Sequence, residues 1–362
     1  MEMEASKRMN KSDDEHKTRK RTRKKVDRFF FLPDDILLDI LKRFPDVFLR
    51  YKAKYVCRRW FNIITNMILL DHASFIHCNL RDFTTRLVDI REERLGLQVK
   101  VQDPDIPRIG KIRSWCNEFL LISDNNRKGS LYVYNQITKE GWYLPQHNAS
   151  CCSCGNYAHK CGVALSFDRF KGIYKVAHLL MGRTIECHIL ILGRNITTRA
   201  YLNWKKIELP YMNEGKFIWG DPVSVQGRYL NWRIYGSNDL VSVDMVKEEI
   251  CIISLPVSIN RGMNTCYSFF VMGGFLAVCV GGPCDKAEIW VLKDFHKLKW
   301  EKLELALNSH WFFTTYFIYG VISKRYIIGG KPMYGIYSYD LKSGVTKELG
   351  IHMGFSDGLV VH

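Results

Sequence analysis

The sequence has no apolar leader, no membrane-length apolar run and fewer acids than bases. Its first residues, Met1-Glu2-Met3-Glu4, run on into a charged stretch without the apolar core of a secretory signal, so export is not expected. The longest apolar run, Phe269 to Val280, has twelve residues and is broken by Gly273-Gly274. A bilayer-spanning helix needs about 20, so the run reads as two buried strands and no membrane partner is expected. Also missing are a G-x-S-x-G elbow, a P-loop, an H-E-x-x-H helix and a dinucleotide fingerprint, and the eleven histidines are scattered with no sequence-local base or carboxylate grouping. No catalysis and no cofactor are expected from these patterns.

Against 53 Lys and Arg stand only 37 Asp and Glu, a formal net charge of +16. Residues 1–28 account for +5 of it and are nearly free of apolar side chains, so they cannot offset their ordering entropy and read as a disordered tail. Within the tail, Lys17 to Lys25 carries seven positive charges in nine positions, the pattern of a nuclear import signal or of a solvated, solubilising segment. The remaining +11 is spread along the chain and favours acidic partners or nucleic acid at long range. Twelve cysteines in a chain without an export signal read as reduced thiols, in the nucleus or the cytoplasm, where the Asn148 and Asn195 sequons stay unused.

At 362 residues and 47% apolar, the chain is long enough for more than one folded unit. The first unit starts at Leu32-Pro33: a proline suits the opening of a helix, and Asp34 and Asp35 complement the positive helix end. Ile36, Leu37, Ile40 and Leu41 follow at three-and-four spacing, and Pro45 stops the run, giving a helix over Asp34 to Arg43. A second helical stripe is formed by Ala53, Val56, Cys57, Trp60, Phe61 and Ile64. About forty residues are too few to bury two such stripes alone, so this segment needs another surface.

These residues resemble an F-box: leucine-proline, two acids, Ile36, Ile40 and Leu41, Phe44, Leu49, and the closing Val56-Cys57-Arg58-Arg59-Trp60. The resemblance covers residues 29–73 and implies a helical hook for the Skp adaptor of a cullin-RING ubiquitin ligase. Leu32, Pro33, Ile36, Ile40, Leu41, Val56 and Trp60 are the positions it assigns to adaptor contact or its support. The segment Tyr51 to Tyr55 is more basic and aromatic than in many members.

From residue 74 to 362 the period changes to short β-rich runs parted by turn residues: Ser74–His77, Arg86–Ile90, Gly96–Val101, Glu118–Ser123 and Leu131–Asn135 come first. A unit of strand, polar turn and strand recurs, often closed by leucine-proline, with ends near 101, 145, 210, 256, 305 and 349. A four-stranded propeller blade takes roughly 40 to 50 residues, so a mainly β chain with a six-bladed β-propeller is expected, ahead of a β-sandwich array. The one long step, from 145 to 210, is read as a loop from Gln146 to Cys161 inserted in a blade. Trp142-Tyr143-Leu144-Pro145 and Tyr339 to Gly344 resemble the plant F-box-associated and kelch-like domains. Diglycines at 273, 281 and 329 are kelch-like, but the regular tyrosine and tryptophan of true kelch repeats are lacking.

Within that loop, His147, Cys151, Cys152, Cys154, His159 and Cys161 have zinc-ligand chemistry and one C-x-x-C pair, but no second well-spaced pair, so no metal is expected. Most of the nine tryptophans and eighteen tyrosines read as strand core; Trp115, Trp219, Trp232, Tyr235, Trp311 and Phe312 read as loop or strand-end residues of a recognition face. Together these readings describe a non-catalytic substrate receptor. The competing expectation is a nuclear propeller that binds nucleic acid through aromatic and basic side chains.

Overall fold

A computed structural model of the chain describes residues 32–41, 43–44, 53, 56–57, 59–60, 63–64, 72–78, 84–124, 126–127, 129–146, 161–168, 170–181, 185–193, 203–208, 217–235, 237–256, 267–281, 286–308, 317–323, 325–331, 335–351 and 359–361. It divides into two compact units, residues 1–43 and 44–362. In the first, helix α1 spans Asp34–Leu41, two residues shorter than the spacing suggests, and the Leu37 amide donates to the Pro33 carbonyl at 3.0 Å. The basic tail lies outside the described residues.

The second unit holds six four-stranded antiparallel sheets. Blade 1 contains β1 (His72–Cys78), β2 (Thr85–Glu93) and β3 (Gly96–Gln102); blade 2 contains β4 (Gly110–Cys116), β5 (Phe119–Asp124), β6 (Leu131–Asn135) and β7 (Gly141–Tyr143). Blade 3 is β8 (Gly162–Asp168), β9 (Ile173–Met181), β10 (Ile185–Gly193) and β11 (Trp204–Ile207); blade 4 is β12 (Phe217–Val225), β13 (Tyr229–Tyr235), β14 (Asp239–Asp244) and β15 (Glu249–Ser254). Blade 5 is β16 (Tyr267–Met272), β17 (Phe275–Gly281), β18 (Lys286–Asp294) and β19 (Lys299–Asn308); blade 6 is β20 (Phe317–Ile322), β21 (Tyr326–Lys331), β22 (Gly335–Asp340) and β23 (Thr346–Glu348). The last strand, β24 (Leu359–Val361), pairs with β1 and completes blade 1, so the two ends of the propeller sequence meet in one sheet. The fold is a six-bladed β-propeller.

The step from 145 to 210 is corrected in one respect: residues 144–161 connect β7 to β8 and so lie between blades 2 and 3 rather than inside one. Each apolar cluster is shared by two adjacent blades, because every sheet is covered on both faces. In β5 all six residues are buried, with Phe119 and Leu121 packed toward blade 3 and Leu120 and Ile122 toward blade 1. The apolar run at 269–280 becomes β16 and β17, joined at Gly273-Gly274 with φ of 57° and 80°, values that a two-residue hairpin of the primed type requires and glycine adopts at no steric cost.

The repeated polar turn has a single cause. Asn135, Asp244, Asp294 and Asp340 each end the third strand of a blade, and each Oδ1 accepts the amide two residues on, at 2.8 to 3.0 Å. Outer-strand tryptophans then tie blades together: Trp204 Nε1 donates to the Pro145 carbonyl at 2.9 Å and Trp300 Nε1 to the Ser254 carbonyl at 3.1 Å. Each bond runs from an outer-strand tryptophan to the end of the preceding blade, at or beside a leucine-proline pair.

At the closing seam, His77 of β1 lies opposite Arg86 on one side and Leu359 on the other. It is buried, its Nε2 has no acceptor, and burial first and the Arg86 charge second pull its pKa below the ordinary value. A histidine depressed in the folded state leaves stability untouched above its unfolded pKa, near 6.5, and costs stability as pH falls through it, because only the unfolded chain takes the proton. Wild type is therefore expected to lose up to about 1.4 kcal/mol more per pH unit below that point than His77→Phe. Urea denaturation of the two proteins from about pH 7.5 to about pH 5.5 checks this; parallel curves would refute it.

Candidate functional site

Helix α1 carries two apolar seams instead of the single stripe read from spacing. Leu37 and Leu41 are fully buried, whereas Ile36 is 44% exposed, Pro33 is exposed, and Leu32 and Ile40 are half-buried. Residues i and i+4 share a helix face, so each seam is one such pair. Leu41 has no exposed surface, whereas Leu32, Pro33, Ile36 and Ile40 retain some.

The second stripe is only partly described. Ala53 and Ile64 are buried, Trp60 is half-buried, and Val56 is 60% exposed, with its amide donating to the Ala53 carbonyl at 3.1 Å. The Trp60 amide lies 3.5 Å from Cys57 Sγ. Phe61 and Leu49 fall outside the described residues, while Phe44 is 40% exposed.

In the propeller, antiparallel order puts the first-to-second turns of blades 2 to 6 and the third-to-fourth turns of all six blades at one face. The second-to-third hairpins and the connections between blades lie at the other. The turn face is braced by charge. Arg228, between β12 and β13, donates from Nε to both Asp244 oxygens at 3.0 Å, and Arg325, between β20 and β21, holds Asp340 with bonds of 3.0 and 2.8 Å. Burial raises the Asp244 carboxyl, but the Arg228 bonds and two backbone amides outweigh it and leave the pKa lowered. Hydrogen bonding from Arg325 drives the Asp340 carboxyl below the usual range.

Between blades 3 and 4, Lys175 is buried with its Nζ 2.7 Å from the Met245 carbonyl, 2.8 Å from Glu248 and 3.7 Å from Asp168. Lys205 reaches the second Glu248 oxygen at 2.9 Å. Burial raises the Glu248 carboxyl, yet the bonds from Lys175 and Lys205 prevail and its pKa is lowered.

On the connection face, Arg127 stacks on Tyr143 (4.4 Å), whose hydroxyl donates to Asp124 at 2.7 Å. Arg233 of β13 stacks on Tyr267 of β16 at 3.9 Å, and its buried Nε has no acceptor. Arg233 gave no signal in the sequence; only its alternation with the core residues Trp232 and Ile234 hints that it faces the opposite blade.

Of the aromatics expected on a recognition face, Trp232 is corrected: it sits in mid-strand, fully buried in the core shared by blades 3 and 4. Trp115 is a half-buried residue of β4, Trp219 lies within β12, Tyr235 ends β13, and Trp311 and Phe312 fall outside the described residues. So do His147, Cys151, Cys152, Cys154 and His159 of the zinc-like cluster; Cys161 is buried, and its carbonyl accepts from Arg113 at 2.7 Å. Among the described residues no helix is long and apolar enough to cross a membrane, and no group of three metal-ligating side chains is found.

Residues 29–72 match the family described as F-box domain, and residues 104–356 match the F-box associated beta propeller domain. The F-box protein At3g07870 of Arabidopsis thaliana is 24% identical over 324 residues, covering 77% of this chain and 73% of that protein. Among solved structures, the beta-propeller domain of Cps50 (Swd1) from Myceliophteria thermophila is 10% identical, with 78% of this chain and 86% of that chain covered and a TM-score of 0.41. An oligogalacturonate lyase from Vibrio parahaemolyticus is 11% identical over 77% of this chain and 79% of that one, with a TM-score of 0.39. These two structural likenesses carry no functional meaning.

Proposed function

The chain belongs to the family of F-box proteins with an F-box-associated β-propeller, and from that premise we propose that it is the target-recognition subunit of a Skp–cullin–F-box ubiquitin ligase. The F-box segment holds the Skp adaptor, and the propeller holds a target protein. The chain contributes proximity: a target lysine held near the charged conjugating enzyme meets it at a high effective concentration, which is the source of the rate gain.

One observation carries the adaptor half of this reading. Ile36 remains 44% exposed on an eight-residue helix whose other seam, Leu37 and Leu41, is already buried. A short helix with a second, outward apolar pair has surface to gain from a partner. Val56 at 60% exposed extends the same chemistry.

Capture of a purified Skp adaptor by the full-length chain tests it. Ile36→Asp is expected to weaken capture by at least about tenfold, since a charge replaces an anchor in a desolvated contact. Leu32→Ala with Pro33→Ala is expected to act in the same direction, with the thermal midpoint of the propeller unmoved. Undiminished capture by both variants refutes the assignment, and steeply salt-dependent RNA binding in its place would favour the nucleic-acid reading.

A further inference from the structure

Among the described residues four arginines lie over tyrosine rings, and three of these stacks include a carboxylate. Arg228 over Tyr229 (4.8 Å) is held by Asp244, and Arg325 over Tyr326 (4.7 Å) by Asp340. Arg127 lies over Tyr143, and there Asp124 accepts the tyrosine hydroxyl. The fourth stack has no anion. Arg233 lies 3.9 Å over Tyr267, its Nε is buried without an acceptor, and no described carboxylate pairs with it.

The ring beneath this guanidinium is fixed before any ligand arrives. The Tyr267 hydroxyl donates to the Ser237 carbonyl at 3.3 Å, and its ring meets Phe269 edge-on at 5.3 Å and 81°. Both partners sit where blade 4 meets blade 5 on the connection face: Arg233 precedes the β13–β14 hairpin, and Tyr267 opens the inner strand β16. A guanidinium keeps its charge at every accessible pH, and its planar fork matches the two oxygens of a carboxylate or phosphoryl group. A rigid ring under it lowers the ordering cost of binding.

We propose that Arg233, stacked on Tyr267, is an oxyanion subsite of the propeller that takes a phosphoryl or carboxylate group on the target protein's polypeptide. The assignment rests on the receptor role proposed above and names the chemistry by which the target is read. In the turn-face stacks the chain supplies its own carboxylate; at Arg233 the target supplies it.

The test uses the full-length chain with arginine labelled for NMR, the Arg233 Nε–H signal being identified by its loss in Arg233→Lys. Inorganic phosphate, N-acetylphosphoserine amide and N-acetylglutamate amide are titrated at matched ionic strength. A saturable shift of that signal is expected, larger with the phosphoserine compound if the source is a phosphoryl group and with the glutamate compound if it is a carboxylate. Followed on the remaining signals, affinity is expected to fall about tenfold in Arg233→Lys, which keeps the charge and loses the fork, and further in Arg233→Gln. No saturable shift with any of the three compounds, or equal affinity in Arg233→Gln, overturns the assignment. Adaptor capture by the same preparations separates the two claims: if wild type fails to hold the adaptor while the shift persists, the receptor role falls and the anion site stands.

Discussion

Trp232→Ala is expected to cost about 4 kcal/mol of propeller stability, read as a lower urea midpoint and a fall of roughly 10 °C in Tm. The indole is fully buried with Ala177, Leu179, Ile189 and Val241 in the core between blades 3 and 4, so its removal leaves a cavity that two sheets must close around. A Cβ built on Gly162 would lie under 3 Å from the indole nitrogen, so the ring edge occupies the space that a side chain at 162 would need. Gly162→Ala is therefore expected to cost about 1–3 kcal/mol in wild type and markedly less beside Trp232→Ala, a coupling that two distant sites would not show. Trp232→Phe should lie well below the alanine cost, because it keeps most of the burial and removes a buried N–H that has no acceptor. If Trp232 were a recognition residue the pattern would invert, with partner binding lost and the midpoint unmoved; that result would return it to the surface.

Trp232 also shows where sequence stops informing. Its local pattern, Tyr229-Leu230-Asn231-Trp232-Arg233-Ile234, alternates as a strand covered on one face by apolar residues, yet in a propeller both faces of each sheet are covered, so alternation does not separate core from rim. The repeated units were legible because four of the six blades share a local device, an Asx-capped turn between the third strand and the outer one. The diglycine hairpin was legible because only glycine adopts both of its torsions freely. Leu359–Val361 was not legible as part of blade 1, since three residues carry almost no strand signal and their partner, β1, lies at the other end of the propeller sequence. In α1, spacing located four apolar positions but not their division into a buried pair, Leu37 and Leu41, and a surface pair, Ile36 and Ile40. A stripe of that width satisfies both readings until the neighbouring chain is known. Arg233 and Lys175 were invisible for the opposite reason: a cation counts toward net charge whether it is solvated, stacked or buried.

Lys175→Met is expected to cost about 3–5 kcal/mol, although it replaces a charge by an apolar side chain of similar length in a buried site. The loss comes from what is left behind. Asp168 has a fully buried side chain whose Oδ2 makes no hydrogen bond and lies 3.7 Å from Nζ, so without the lysine its charge loses its ion-pair partner and keeps only a longer-range attraction to Arg228. Its Oδ1 still accepts the Phe170 and Lys171 amides, so the hairpin of blade 3 stays in place and the cost is electrostatic in origin. Adding Asp168→Asn removes the stranded charge and is expected to recover more than 1 kcal/mol of the loss, measured as the interaction energy of a double-mutant cycle in urea. Glu248 keeps Lys205 and remains paired on its exposed side. It does lose one of the two bonds that hold its pKa down, so the acid limb of the variant's stability curve should be shallower, since a depressed carboxyl contributes stability that disappears as pH falls through its folded pKa. The pair Lys302–Glu288 serves as the control: it is shorter, at 2.6 Å, but both side chains are well exposed, and Lys302→Met is expected to change stability by less than about 1 kcal/mol. If the two lysines cost the same when replaced, burial is not what gives the blade 3–4 bridge its strength, and the charge network there is a surface feature like the others.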